Sequence, residues 1–190
     1  WSEGNNLNTG RYAIGGSGTQ TAALAAGGSP PGNTGSNLSE EYNGTNWTEG
    51  NNLGTARYKT TQFGVQTAAV AAGGDTGPAN VNNVEHYDGT SWTAATVYPS
   101  TLTFAASAGT QTDGLVFLGD LGPGYGATTN TYDGTSWAAS AALANAGGNT
   151  EGDGTGALAL AASGGPSSGR TDGSEEFTGA TTVVKNITTS

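Results

Sequence analysis

Apolar residues in this chain come in short runs separated by polar, glycine-rich stretches. The first is Ala22-Ala23-Leu24-Ala25-Ala26, preceded by Gln20-Thr21 and ended by Gly27-Gly28. It returns as Ala68-Ala69-Val70-Ala71-Ala72, between Gln66-Thr67 and Gly73-Gly74. A third copy, Leu115-Val116-Phe117-Leu118, follows Gln111-Thr112-Asp113-Gly114 and runs into Gly119-Asp120. A fourth, Ala157-Leu158-Ala159-Leu160-Ala161-Ala162, ends at Ser163-Gly164-Gly165. Apolar runs of this length between turn residues fit buried strands. Alanine by itself favours helix, but the shortness of the runs and their glycine borders decide for strand. Small side chains suit a strand crowded by its counterparts near a central axis.

A second pattern keeps step with the first. Glu41-Tyr42-Asn43-Gly44-Thr45-Asn46-Trp47 returns as His86-Tyr87-Asp88-Gly89-Thr90-Ser91-Trp92 and as Thr131-Tyr132-Asp133-Gly134-Thr135-Ser136-Trp137. A worn copy, Glu176-Phe177-Thr178-Gly179-Ala180-Thr181-Thr182, closes the series. The leading aromatics stand at positions 42, 87, 132 and 177, a constant step of 45. A step of that size marks a repeat architecture. Asn-Gly or Asp-Gly between strand-like runs predicts a hairpin with a type I′ turn, which places Asn43-Gly44 at its tip. Tyr42, Trp47, Tyr87, Trp92, Tyr132 and Trp137 then read as packing anchors between sheet surfaces.

An apolar strand ending in Gly-Gly, then a Tyr, then a Trp, repeated every 45 or so residues, resembles the kelch repeat. Gly27, Gly28, Gly73, Gly74, Gly164 and Gly165 are the matching glycines, and Arg11 and Arg57 match the arginine upstream of the strand. The resemblance implies an all-β, kelch-like β-propeller with four blades of about 45 residues each, every blade four-stranded. Repeat three departs from the pattern with Gly119-Asp120 at the glycine pair and Leu102 at the arginine. Repeat four has Gly147 at the arginine, Phe177 for Tyr and Thr182 for Trp.

On this reading the whole of 1–190 is one propeller domain, with blades at about 9–52, 55–97, 100–143 and 144–190. The strands of blade one are expected at Tyr12–Gly16, Thr19–Ala26, Asn37–Tyr42 and Asn46–Glu49. Residues 1–8 copy Trp47–Gly54 and are left over as an outer strand. They are free to pair at the ring closure, to belong to a blade upstream of Trp1, or to dock on a neighbouring chain. The stretch 180–188 reads as a β-branched outer strand for the last blade. The long loop of every repeat follows its glycine pair, so all four loops share one face. They differ in sequence while the strands agree, which is how a repeat protein varies a binding surface. Asn33, Asp75, Asn80, Tyr125 and Arg170 are the candidate ligand-face residues.

Composition narrows the function. Only 34% of residues are hydrophobic and 34 of the 190 are Gly, a balance that would suggest disorder without the repeat. The net charge of −10, with five basic residues, disfavours nucleic acid. No apolar stretch is long enough to span a membrane as a helix. With no Cys and with His86 as the one histidine, the usual zinc sites and thiolate or Ser-His-Asp nucleophiles have no basis. Glu40-Glu41 and Glu175-Glu176 read as solvated or edge-protecting charges. No enzyme activity, cofactor or metal is expected.

The wording Gly-Thr-Gln-Thr-Ala-Ala-Leu-Ala at 18–25 and Tyr-Asp-Gly-Thr-Ser-Trp at 87–92 and 132–137 also resembles kelch-like proteins of marine bacteriophages. That implies a non-catalytic structural or adhesion module, a virion appendage or decoration protein. Its partners would be other virion proteins or its own copies, together with host-surface glycans bound by the loop face, and its place the extracellular particle. The alternative is a protein-interaction kelch module of cellular origin, cytoplasmic or secreted.

Overall fold

The computed structural model describes residues 3–32, 34–121, 124–148, 151–162, 173–179 and 181–183. The described residues form sixteen strands in four antiparallel sheets. Blade one holds β1 (Gly15–Thr19), β2 (Ala22–Ala26), β3 (Ser39–Tyr42) and β4 (Trp47–Glu49). Blade two holds β5 (Thr61–Val65), β6 (Ala68–Ala72), β7 (Val84–Tyr87) and β8 (Trp92–Ala95). Blade three holds β9 (Ala106–Thr110), β10 (Asp113–Phe117), β11 (Thr129–Tyr132) and β12 (Trp137–Ser140). Blade four holds β13 (Glu151–Gly154), β14 (Leu158–Ala162), β15 (Ser174–Thr178) and β16 (Thr181–Val183). Each sheet is a simple meander, strands in chain order from the inside out. The arrangement is a four-bladed β-propeller. Among the described residues no helix is long and apolar enough to cross a membrane.

Three local expectations are corrected. The inner strand of blade one is Gly15–Thr19, not Tyr12–Gly16. Thr19 pairs with Ala22, so Gln20-Thr21 is the hairpin turn rather than the start of the apolar strand. The Tyr–Trp hairpins are also built differently. Tyr42 pairs with Trp47, Tyr87 with Trp92 and Tyr132 with Trp137. The Asn43 N–H donates to the Asn46 carbonyl at 3.2 Å, so the two-residue tip is Gly44-Thr45 and not Asn43-Gly44. Only the glycine has positive φ, +89° at Gly44, the glycine-first arrangement of a type II′ turn. Asn43 instead accepts the Thr45 and Asn46 backbone N–H groups on its Oδ1 at 3.0 and 2.9 Å. Asp88 and Asp133 repeat that Asx turn. The same backbone donors, those of Ser91 and Ser136 first, hold both carboxyls below the ordinary carboxylate pKa.

The third correction concerns the glycine pair of repeat three. Gly27 and Gly73 have φ of +68° and +64°, and a Cβ on either would lie 2.6 or 2.3 Å from the Arg57 or Leu102 carbonyl oxygen. In blade three the residue with that conformation is Leu118, at φ +61°. The pair is therefore Leu118-Gly119, not Gly119-Asp120. A left-handed leucine is strained, and its burial against Leu115, Phe117 and Ala159 offsets that strain. Gly164 and Gly165 lie outside the described residues, as does the stretch 184–188 of the expected last strand.

The blades are joined by bonds that cross from one to the next. Gly28 N donates to Arg57 O at 3.0 Å, Gly74 N to Leu102 O at 2.7 Å, and Gly119 N to Gly147 O at 2.8 Å. The turn glutamines do the same farther out. Gln66 Nε2 donates to the carbonyls of Ala23 and Tyr42 at 2.9 and 2.8 Å, and Gln111 Nε2 to those of Ala69 and Tyr87 at 3.0 Å each. Apolar packing fills the space between. Trp92 of blade two packs against Leu24 and Ala26 of blade one, and Trp137 of blade three against Phe63 and Val70 of blade two. Inner strands pack in series, β1 on β5, β5 on β9 and β9 on β13. Among the described residues no comparable packing joins β13 back to β1.

Glu40 is not a solvated charge. It is 1% exposed, ion-paired to Arg11 at 3.1 Å, and accepts the Asn8 backbone N–H at 2.7 Å. Glu85 repeats the arrangement with Arg57 at 3.1 Å and Gly54 N–H at 2.6 Å. A buried carboxylate needs such partners. The contact also places the leftover N-terminal segment, as far as it is described. Residues 3–9 lie on blade one, through Asn8 to Glu40 and Trp47 and through Asn5 to Asn46. Residues 50–54 lie on blade two in the same way.

Candidate functional site

Gly15 pairs with Ala26, so the chain entering each inner strand and the loop leaving the second strand emerge at the same end of a blade. By the repeat, the segments 10–14, 56–60 and 101–105 share that end with the loops that follow β2, β6 and β10. The sequence reading named the loops but not these entry segments. They carry Tyr12, Tyr58, Lys59 and Phe104. The repeated Arg-Tyr dipeptide at 11–12 and 57–58 was the signal for the two tyrosines.

Ala13, Lys59 and Phe104 occupy equivalent places, all with positive φ of 50°, 57° and 53°. Three non-glycine residues in one left-handed conformation form an outlier of the kind that clusters at functional sites. They are chained together, Lys59 N donating to Ala13 O at 2.9 Å and Phe104 N to Lys59 O at 3.4 Å. They stand at the mouth of a central channel of about 340 Å³, bordered by the inner strands of all four blades. Its wall is largely polar, with Thr61, Gln62, Ser107 and Glu151. Thr60 Oγ1 and Gln62 Oε1 border it too, buried and without a protein hydrogen-bond partner.

Lys59 knits this end together. Its Nζ lies 3.0 Å from Asp75 Oδ2, 4.7 Å from the Tyr58 ring centre and 5.2 Å from the Phe104 ring centre. Burial acts to lower its pKa, but the bond and charge of Asp75 outweigh that and the net direction is upward. Burial acts to raise the Asp75 pKa, and the Gly77 N–H together with Lys59 and Tyr58 brings it below the ordinary value.

The sequence-derived candidates are placed as follows. Asp75 is buried and committed to Lys59 and to the Gly77 N–H at 2.8 Å, so it shapes its loop rather than facing solvent. Asn80 bridges to Asp75 at the base of the same loop. Tyr125 bridges to Asp120 and is half-buried, its ring edge against Gly148, where a Cβ would lie 2.3 Å from Cε1. It therefore spans the step from blade three to blade four. Asn33 and Arg170 lie outside the described residues. The six aromatic anchors sit away from the loop end, each Tyr ring against that of its own Trp at centroid distances of 4.3 to 5.0 Å, stacked for Tyr132–Trp137 and tilted for the other two pairs.

His86 sits between blades two and three. Its Nε2 is 2.9 Å from the Tyr132 hydroxyl, and burial lowers its pKa. Among the described residues no three His, Cys, Asp or Glu side chains converge as a metal would require. The loop end offers aromatic faces, one cation tied to a carboxylate, and a polar channel. That is a surface for stacking and hydrogen bonding. No protein-family model matches the chain, and no curated protein matches it.

Proposed function

We propose that this chain is a kelch-like β-propeller of a bacteriophage particle, a non-catalytic scaffold that binds host-surface glycans at its loop end. The observation that carries the reading is the placement of Tyr12, Tyr58, Phe104 and Tyr125 at the loop end of the blades, where Phe104 borders a polar channel. Sugar rings stack on aromatic faces through their C–H groups, and their hydroxyls bond to Thr, Ser, Asn and Gln. Tyr12 is 47% exposed, which suits a stacking platform better than a core residue. The varied loops after each glycine pair, set on repeated blades, suit a surface whose ligand changes while its scaffold does not. The virion assignment rests on the resemblance of the repeated wording to phage kelch-like proteins.

The test is a glycan array probed with the labelled protein. Binding to at least one neutral or amino-sugar glycan class is expected, with at least a tenfold loss in Tyr12→Ala and in Tyr125→Ala. An array without signal, or signal unchanged in both variants, refutes the reading.

A further inference from the structure

The interfaces of blade one with blade two and of blade two with blade three are built to one pattern, and the two ends of the array carry its unmatched halves. Each of these two interfaces uses a leading face that holds the second-strand leucine or valine and a receiving face that brings Tyr, Trp and the turn Gln; at the step from blade three to blade four Phe177 and Thr182 stand for the Tyr and Trp and the turn has no Gln. Leu24, Val70 and Leu115 occupy the leading position in blades one to three and are 1%, 0% and 1% exposed. Leu160 occupies it in blade four and is 45% exposed, with Leu158 beside it at 61%.

The polar halves match as well. Tyr87 donates its hydroxyl to Glu41 of the preceding blade, and Tyr132 meets His86 in the same place. In blade four the equivalent of Glu41 is Glu176, paired across the sheet with Leu160 and exposed. At the other end Tyr42 is the equivalent of Tyr87, and its hydroxyl has no hydrogen bond among the described residues. Gln66 and Gln111 each donate to two carbonyls of the preceding blade. Gln20, their equivalent, is exposed and makes no such bond among the described residues. The carbonyls in register for it are those of Ala159 and Phe177, which pair with each other in blade four.

We infer that blade four of one chain docks on blade one of a second copy, head to tail, repeating the internal blade interface. Leu160 then lies under Trp47 as Leu24 lies under Trp92. Glu176 receives the Tyr42 hydroxyl, and Gln20 bridges the Ala159 and Phe177 carbonyls. The occupant is a second copy because donors, acceptors and apolar groups of the two ends complement each other in this chain's own sequence. Such a contact joins two different patches, so it is heterologous, and copies close into a ring or extend as a filament.

Two surface variants test this without touching a buried group. Leu160→Glu places a charge on the leading face, and Gln20→Glu faces two carbonyl oxygens with a carboxylate. Mass is read by light scattering across a concentration series. The wild type is expected to exceed the single-chain 18.6 kDa, and each variant alone is expected to return to it. Mixed together, the two variants retain one good end each, and a 1:1 dimer that grows no further is expected. A wild-type mass of one chain at every concentration overturns the inference. So does assembly that survives Leu160→Glu, or a mixture that stays monomeric.

Discussion

Trp92→Ala is expected to lower the free energy of unfolding by about 3 kcal/mol, the low end for a buried tryptophan because the indole is only half-buried. The loss falls on two blades at once. The indole covers Leu24 and Ala26 of blade one and Ala69, Ala71 and Tyr87 of its own blade. Its ring lies 5.0 Å from that of Tyr87, and Nε1 reaches Ser39 Oγ at 3.4 Å. Trp47 has the same Tyr neighbour, at 5.0 Å, but no blade packed in front of it among the described residues. Trp47→Ala is therefore expected to cost about 1 kcal/mol in the isolated chain, the scale of a half-exposed aromatic pair. Urea unfolding followed by circular dichroism measures both. Equal losses, or a Trp92 loss below about 1 kcal/mol, would show that the tryptophans do not act between blades.

The second large effect is expected at Arg57, whose side chain is fully buried. Its guanidinium donates to Asn83 O at 2.8 Å and Ala71 O at 3.3 Å and lies 3.1 Å from Glu85. Burial draws its pKa below the ordinary arginine value, with Glu85 acting in the opposite sense. Arg57→Leu leaves the Glu85 carboxylate buried beside apolar atoms, which costs about 3–5 kcal/mol. Blade three indicates how the loss is relieved. There Leu102 stands in the arginine place and the neutral Asn130, bonded to Tyr98 at 2.7 Å, in the glutamate place. Arg57→Leu with Glu85→Gln keeps an acceptor for the Gly54 N–H and removes the unpaired charge. The double variant is expected to be more stable than Arg57→Leu alone, by more than about 1 kcal/mol. A double variant less stable than the single one would mean that the arginine acts through packing and not through charge.

The sequence carried the propeller because the repeat is strict where the backbone is demanding. Gly44, Gly89 and Gly134 hold positive φ at the tips of the three Tyr–Trp hairpins. Gly27 and Gly73 make room for the carbonyl of the next blade. These are backbone requirements, and they print directly into residue type. What was not legible depends on distance in space. Glu40 reads as a surface charge until Arg11 and the Asn8 N–H are seen beside it. Yet Arg and Glu occur together at 11 and 40 and at 57 and 85, and both are lost together at 102 and 130. That shared loss could have been read as an ion pair. Gln66 belongs to a turn, where it looks dispensable, and its function appears only when the preceding blade's carbonyls are in place. The turn type was misread because Asn43 serves its loop through Oδ1, not through its own φ. The loop-end aromatics were hidden differently. The sequence places Tyr12 at the start of the inner strand, and the shift of β1 to Gly15–Thr19 moves it out to the end of the blade.

The central structural claim is that bonds crossing from blade to blade make the array one cooperative unit. Native-state hydrogen exchange at the Gly28, Gly74 and Gly119 amides tests it most directly, since each donates to the following blade. The account predicts that all three exchange with one free energy, equal to that of global unfolding and equally sensitive to denaturant. Three separate values, each below the global one, would mean that the blades open independently, and would contradict it.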